Sequence, residues 1–434
     1  MDFSIDQLAL LTQGQLQKHH SIQIHELFFD SRKSFQGAHS LFIALKTAHG
    51  NGHLYLSALY EKGCRNFLVS APNELPDDCN IIEVQDSLAA LQLAARSHRQ
   101  TLKKPVLAII GSLGKTTVKE WLYLLLANKL KLYKSPKSYN SQLGVALSIL
   151  SASDESQLSL IEAGISRPDE MDKLENIIQP DWVLITNIAP PHQANFSSEA
   201  QKLSEKIKMC QQANRLFYSS TQPQVKHLIE TEFGSKKKFS WGHEASDDLQ
   251  ILQVNPQEAK LKYGATIFKL QGKSGTKYHF ENAMHCLAMG LSLGLEAQGL
   301  ADDISRLPAL DMRLEMKQGL ENMLLINDSY SADFDSLRVA LSYLERMSGS
   351  QAHGMILSDF EDMGIKAQAY KTELTKLIDQ FSLEKLILIG PKLQGLQTEF
   401  STVDCQAFAD TAAYLSSADP SFFRDFAVLV KGVR

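Results

Sequence analysis

The feature that most constrains how this chain can fold is an apolar run that empties into a glycine loop and then a helical pattern. Val106-Leu107-Ala108-Ile109-Ile110 precedes Gly111-Ser112-Leu113-Gly114-Lys115-Thr116-Thr117, and Val118-Lys119-Glu120-Trp121-Leu122 follows. Strand, glycine turn and helix in this order make an α/β unit whose turn receives phosphate oxygens. Glycines let backbone N–H groups approach the anion, and the helix start adds unpaired N–H groups and a positive dipole end. The candidate ATP ligands are therefore Gly111, Ser112, Gly114, Lys115, Thr116 and Thr117. Lys115 would reach the β- and γ-phosphates, and the Thr116 hydroxyl would ligate Mg²⁺. The general P-loop pattern wants a glycine five positions before Gly114, where this chain has Ile109. The match is thus to a shorter loop, G-x-x-G-K-T-T.

Length and composition limit the rest. A chain of 434 residues exceeds what one core usually supports, so two or three domains are expected. Its 44% hydrophobic and 21% charged residues are those of a globular protein. A net charge of −5 provides no broad basic field, so no nucleic-acid partner is implied. The five cysteines are scattered, without a C-x-x-C pair, and read as reduced, small apolar residues of a cytoplasmic protein. No secretory pattern opens the chain, and no apolar run of about eighteen residues predicts membrane insertion.

Periodicity and breaks predict three α/β domains, at residues 1–103, 104–310 and 311–434. In the first, Leu41 to Leu45 and Asn66 to Ser70 read as strands, and Leu54 to Glu61 and Ser87 to about Leu102 as helices. Lys103-Lys104-Pro105 breaks the chain. The middle region alternates strands (Val106 to Ile110, Leu158 to Ile161, Trp182 to Ile185) with helical patterns, which argues for a central parallel sheet covered by helices on both faces. Ligands of such sheets gather at the carboxyl ends of strands. Glu162 stands at one such end and Thr186-Asn187-Ile188, with His192, at another; Glu281 to Leu295 reads as a helix. After a second break come apolar strands at Asn322 to Ile326, Met355 to Leu357, Lys385 to Ile389 and Ala427 to Val430, a smaller Rossmann-like domain. The chain stops straight after the last of these, as one part of a longer protein would.

These motifs, in this order, resemble those of the Mur ligases over nearly the whole chain. The N-terminal signature is Asp30-Ser31-Arg32-Lys33, Gly37, Leu41 to Lys46 and Asn51-Gly52-His53. The resemblance implies that Ser31, Arg32, Asn51 and His53 hold the UDP end of a sugar nucleotide, with Asn51 replacing the usual Asp. On local spacing alone, Asp30-Ser31-Arg32 reads as a solvated turn. Ser135 to Gly144 is similar to the family's asparagine-rich loop, from which Asn140 carries over as a substrate contact while Ser138 and Ser141 replace asparagines. Glu162, in an E-x-G strand end, and His192, in an N-I-x-x-x-H loop, correspond to metal ligands of the family, and a carboxylate suits Mg²⁺. Lys206, fourteen residues beyond His192, matches a lysine that several Mur ligases carbamylate into an anionic metal ligand. Its flanks, Ile207 and Lys208, depart from the family's Gly and Glu, and the bland alternative is a solvated helix face carrying Lys202 and Lys206. Asn282-Ala283 resembles the helix start whose Asn reads adenine. Arg313 and Asp328 match the residues that approach the phosphates and the ribose. Ser358 to Gly364 is a looser copy of the family's G-D-M-x-E-L-G. Lys431, in K-G-V-R, would touch the incoming amine.

The resemblance implies an ATP- and Mg²⁺-dependent amide ligase of peptidoglycan precursor synthesis, in the branch that joins D-alanyl-D-alanine to UDP-N-acetylmuramoyl-tripeptide. In some relatives the ligase precedes an alanine racemase, and the ending here is compatible with fusion to such a domain beyond Arg434. ATP would phosphorylate the carboxylate, with Lys115, Arg313 and Mg²⁺ stabilising the moving charge and Thr116, Glu162, His192 and Lys206 holding the metal. Domain closure that brings Arg313 and Asp328 onto ATP would exclude water. Four alternatives stay open: another Mur-type amino-acid ligase; a folylpolyglutamate-type ligase, against which the Asp30-Ser31-Arg32 region argues; a P-loop switch or kinase; and a non-catalytic nucleotide-binding module.

Overall fold

The computed structural model describes all residues except 1, 18–19, 48–49, 72–73, 189–195, 256, 273–276, 309–312, 331–333, 360–366, 401–402 and 433–434. Its packing divides the chain into two compact units, one of residues 1–188 and 203–305, the other of 306–434 with 189–202.

The first unit holds two large sheets. The smaller runs Gln15–Gln17, Asn80–Glu83, Asn66–Val69, Ser40–Ile43, Glu26–Phe28, all parallel except the antiparallel Gln15–Gln17 edge. Its core gathers Phe28, Phe42, Leu59, Phe67 and Ile81, with Phe35 stacked on Phe28 at 4.8 Å. The helix predicted from Leu54 is a 3₁₀ turn, Gly52–Tyr55, that becomes α-helical only over Leu56–Glu61. The helix Ser87–Thr101, N-capped by Asp86, then leads into the second sheet. Its Arg99 is buried and donates to the Ile178 and Gln179 carbonyls and to Asp181. The linking helix is thereby tied to the second sheet's frame.

That second sheet has nine strands: Leu132–Lys134, Leu158–Glu162, Val106–Ile110, Trp182–Ile185, Arg215–Ser219, Lys237–Gly242, Leu249–Val254, Glu258–Tyr263 and Thr266–Gln271. The first seven pair in parallel, and the last two add an antiparallel meander. Every residue of Val106–Ile110 is fully buried, as a strand covered on both faces requires. After this strand the chain runs to one edge, fills in beside it, and then crosses to Trp182–Ile185 on the other side. The direction of winding thus reverses at the strand that carries the glycine loop, where such sheets form their crevice.

The second unit has one six-stranded sheet in the order Glu315–Gln318, Leu324–Asp328, Phe426–Lys431, Ala352–Ser358, Leu383–Ile389, Asp404–Phe408, parallel apart from the first. Leu337, Leu341 and Leu344 of helix Phe334–Met347 and Leu374 and Leu377 of helix Ala367–Gln380 pack on one face against Ile326, Met355, Leu386 and Leu429. Ile387, Phe423 and Val428 make a smaller cluster elsewhere in this unit. No helix among the described residues is long and apolar enough to cross a membrane. All five cysteines are free; Cys405 is half-buried and the other four are buried.

Candidate functional site

The glycine loop is shaped by contacts that exclude side chains. Gly111 has φ 139°, and a Cβ on it would lie 2.0 Å from Thr186 Oγ1. Gly114 has φ 85°, and a Cβ there would lie 2.2 Å from Asn282 Oδ1. Both positions need glycine, for conformation and for space. The loop is pinned to the neighbouring strand end: the Ser112 N–H donates to the Asn187 carbonyl at 2.7 Å, and Thr186 Oγ1 to the Leu113 carbonyl at 2.7 Å. Gly114 is the N-cap of helix Lys115–Leu126 and supplies no side-chain cap, unlike Asp86, Ser141 and Asp410 at other helix starts. The helix's first N–H groups are therefore left for an anion.

Cations converge on this loop. Lys115 Nζ donates to the Gly111 and Ser112 carbonyls at 3.0 Å each. Lys206 Nζ donates to the same Gly111 carbonyl at 2.7 Å. Lys206 and Lys202 are 3% and 2% exposed, so the solvated-helix alternative is overturned. A lone lysine ammonium is not placed in a protein interior without a charged or polar purpose. Thr117 is half-buried in the helix's first turn. The Ser112 hydroxyl is buried, with no hydrogen-bond partner among the described residues. Such an orphan suits a site that awaits an oxygen-rich ligand.

On the other side of the loop lies an oxygen cluster. Thr116 Oγ1 donates to Glu162 Oε2 at 2.8 Å and lies 2.8 Å from Ser138 Oγ, which must then donate to it. Asn140 Nδ2 donates to Glu162 Oε1 at 2.8 Å. Glu162 is the last residue of its strand and is 1% exposed, so it is no ordinary surface acid. Hydroxyl and carboxylate oxygens at one point, beside a phosphate loop, are the hard donors that Mg²⁺ takes. Ser138 thus stays in the constellation although it replaces an asparagine.

Sequence reasoning missed Lys119. It lies one turn beyond Lys115, wholly buried, and donates to the Ser135 carbonyl at 2.8 Å and to the Lys137 carbonyl. Its ammonium is 3.8 Å from Glu162 and 3.3 Å from Glu120. Burial lowers its pKa, and the two carboxylates oppose that shift. The signal was present as a lysine among Val118, Trp121 and Leu122 on the helix's apolar side.

Asn282 abuts the loop, but its setting needs correction. The helix begins at Lys277, not near Glu281, so Asn282 sits in the second turn and is buried. The nearby Asn187 Nδ2 donates to Glu281 at 3.2 Å.

The N-terminal candidates form local networks. Arg32 makes a two-point contact with Asp30, at 2.9 and 3.0 Å, and is exposed. The Arg32 hydrogen bonds pull the Asp30 carboxyl down to about 2. Ser31 is half-buried between them. Asn51 Oδ1 accepts from the His53 N–H and Nδ1, and His53 Nε2 accepts from the Ser70 N–H at 3.0 Å. Partial burial, then Lys46, lower the His53 pKa, in keeping with this neutral tautomer. His192, Ser331 and Phe360 to Gly364 lie outside the described residues.

In the second unit Arg313 stacks over the Tyr330 ring, 4.3 Å from its centroid. Asp328 and Lys431 end adjacent paired strands and bind each other. The Lys431 side chain is 0% exposed, so the amine expected to meet a substrate is instead enclosed against a carboxylate. Burial raises the Asp328 pKa, opposed by Lys431.

A winding reversal, an uncapped helix start and a hydroxyl–carboxylate pair beside a glycine loop define a P-loop, nucleotide-dependent enzyme. The comparisons narrow the class. Residues 109–290 match the family model of the Mur ligase middle domain. The chain is 27% identical, over 89% of its own length and 85% of the relative's, to UDP-N-acetylmuramoyl-tripeptide–D-alanyl-D-alanine ligase of Bacillus subtilis (strain 168). Its fold is similar to crystal structure I of MurF from Acinetobacter baumannii, at a TM-score of 0.78 and 22% identity, covering 100% of this chain and 96% of that one. It is also similar to MurF from Thermotoga maritima in complex with ADP, at a TM-score of 0.71 and 19% identity over 94% of each chain. The chain is an ATP-dependent ligase whose central part, residues 109–290, is similar to the Mur ligase middle domain.

Proposed function

We propose that this enzyme joins D-alanyl-D-alanine to UDP-N-acetylmuramoyl-tripeptide, with ATP as the energy source. The observation that carries the reading is the convergence of Lys115, Thr116, Asn140 and Glu162 on a glycine loop, in a chain that matches relatives of that activity over most of its length. A free carboxylate does not react with an amine at neutral pH. Transfer of the γ-phosphoryl group to a carboxylate oxygen gives an acyl phosphate and ADP. The amine nitrogen then attacks the carbonyl carbon, and the tetrahedral intermediate expels inorganic phosphate as the amide forms and the nitrogen loses a proton.

The protein's part is positioning and charge stabilisation. The N–H groups of Gly114 to Thr116 and the uncapped helix start cradle the phosphates. Lys115 leaves the loop carbonyls to meet the triphosphate, and Arg313 adds a second cation for the transferred group. Thr116 and Glu162, with His192 and a carbamylated Lys206, would hold Mg²⁺, which would supply charge neutralisation at the phosphates. A carbamate on Lys206 keeps one N–H for the Gly111 carbonyl while removing a cation from beside Lys115. Asn282 faces the loop and reads adenine; Ser31, Arg32, Asn51 and His53 take the UDP end; Asn140 contacts the peptide substrate. The division into domains at 1–103, 104–310 and 311–434 is supported by the separation of the three large sheets. Cytoplasmic location follows from nucleotide substrates, and continuation into a racemase is tested by the length of the native polypeptide.

The test is phosphate release by the purified chain with a panel of UDP-muramoyl peptides and amine donors. The reading requires release only when the tripeptide nucleotide and D-alanyl-D-alanine are both present. Turnover driven by an L-amino acid would move the enzyme to another branch.

A further inference from the structure

The loop between strand Leu132–Lys134 and helix Gln142–Ser151 contains a backbone conformation that its own residues do not favour. Lys137 has φ 46°, in the left-handed region that a non-glycine residue keeps only when its surroundings impose it. Residues just beyond it serve the oxygen cluster: the Ser138 hydroxyl lies against Thr116, and Asn140 donates to Glu162. The two ends of the loop are tied to the neighbouring strand and its extension. The Ser135 N–H donates to the Leu160 carbonyl at 2.9 Å, the Ser135 hydroxyl accepts from the Glu162 N–H at 3.2 Å, and the Asn140 carbonyl accepts from the Gly164 N–H at 3.0 Å. Lys119 ties the middle. Its ammonium donates to the Ser135 and Lys137 carbonyls, so it spans Pro136 and clamps the left-handed residue. An ammonium has three N–H donors, and two of them go to these carbonyls. The third is left for the carboxylates of Glu120 and Glu162, 3.3 and 3.8 Å away. The other Glu120 oxygen binds Lys134, the last residue of the strand that opens the loop. One helix, Lys115–Leu126, therefore presents a phosphate cation at its first residue and a loop clamp at its fifth.

We propose that Lys119 is a positioning residue for the sugar-nucleotide substrate: it fixes the loop of residues 135–140 to the phosphate-loop helix and so sets where Asn140 meets that substrate relative to the phosphates. An apolar side chain would fill the same space without the cost of burying a charge. What the lysine adds is a grip on two backbone carbonyls of one loop. Those carbonyls belong to no helix or strand, so a side chain supplies the donor that a regular element would otherwise provide. Because the grip is on the backbone, the side chains of Ser138 and Asn140 stay available to a ligand. The proposal rests on the ligase reading for its kinetic readout, but its structural readout does not.

The experiment compares Lys119→Met, Lys119→Gln and Lys119→Arg with the unmodified full chain. It reads steady-state kinetics, ADP binding without Mg²⁺, and hydrogen exchange of the Tyr139 and Gly164 amides, which bond to the Pro136 and Asn140 carbonyls. Lys119→Met should raise the KM for UDP-N-acetylmuramoyl-tripeptide at least tenfold and speed exchange of both amides at least tenfold. The KM for D-alanyl-D-alanine and the Kd for ADP should stay within twofold. Lys119→Arg keeps a cation with several donors, so it should return the tripeptide-nucleotide KM to within threefold and slow exchange again. Lys119→Gln serves if the methionine variant does not fold. Its one amide serves fewer acceptors, so the same KM should rise at least fivefold and both amides should exchange faster. A folded methionine or glutamine variant with that KM within twofold and exchange unchanged overturns the proposal. Equal rises in the KM for all three substrates would mark a general loss of structure and also overturn it. So would a change confined to the Mg²⁺ concentration for half-maximal ADP formation, which would make Lys119 a partner of Glu162 alone. Failure of the ligase reading would show separately, as an unmodified chain that releases no phosphate with the tripeptide nucleotide and D-alanyl-D-alanine, and exchange at Tyr139 and Gly164 would still judge the clamp.

Discussion

The glycine loop and the Arg313 region sit at the same place in two similar sheets, the carboxyl ends of parallel strands, yet they are built in opposite ways. The glycine loop takes seven consecutive residues, and its decisive groups are backbone N–H groups that glycine leaves uncovered. The Arg313 region joins residues 103 positions apart, and its decisive contact is a buried ion pair. The first depends on absent side chains, so it should fail through steric or charge changes that leave the sheet intact. The second is continuous with a hydrophobic core and should fail together with that core.

The largest expected effect is at the loop. Lys115→Ala should lower the rate of ADP formation by roughly 10²–10³-fold, the usual loss when a preorganised charge is removed from a transition state, with little change in thermal midpoint. A large drop in midpoint would break the comparison by making the loop structural. Next is the core beneath the second region. Leu344→Ala removes a fully buried side chain and should cost about 2–5 kcal/mol in denaturant unfolding. If both units unfold together by separate probes, the two regions are less independent than their packing indicates.

Glu162→Gln keeps a polar group for Thr116 and Asn140 but loses the anion. The Mg²⁺ concentration for half-maximal ADP formation should rise about tenfold, the scale of losing one charge-assisted ligand contact. An unchanged Mg²⁺ requirement would remove Glu162 from the metal set. The effect that is smallest at neutral pH lies away from both regions. His285 is buried and accepts from Trp241 Nε1 at 3.1 Å, and burial drives its pKa down to about 3. Folding favours its neutral form, so its contribution is present above the ordinary value of 6.5 and is lost as pH falls from there toward 3. His285→Gln keeps an acceptor that does not titrate. The acid limb of stability against pH should lose up to about 1.4 kcal/mol per pH unit of slope over that window; an unaltered slope would show that His285 already protonates in the folded chain.

The same contrast explains what could be read from the chain. The strands Val106–Ile110 and Trp182–Ile185 stand at their expected bounds because continuous apolar runs between breaks have no other use. The loop was legible because its chemistry is contiguous. The meander of Leu249–Val254, Glu258–Tyr263 and Thr266–Gln271 was not, since one face alternates in Lys260, Lys262 and Lys269 and no apolar run announces it. Lys119 was overlooked, and Lys202 and Lys206 left a solvated-face alternative open, for one reason. A lysine reads as surface unless its partners are known, and those of Lys119 and Lys206 include carbonyls and carboxylates from distant parts of the chain. Asn282 was recognised by type but placed at a helix start, because the first turn from Lys277 carries no apolar periodicity. Lys431 and Asp328 each carried an assigned ligand, and only the strand ladder shows that they face each other.

Central to the mechanism is a loop that directs a γ-phosphoryl group onto a carboxylate before an amide forms. The most direct measurement uses UDP-N-acetylmuramoyl-tripeptide labelled with ¹⁸O in its reacting carboxylate, incubated with ATP and D-alanyl-D-alanine. An acyl phosphate requires one labelled oxygen per turnover in the released inorganic phosphate. Unlabelled phosphate beside a formed amide would contradict the mechanism.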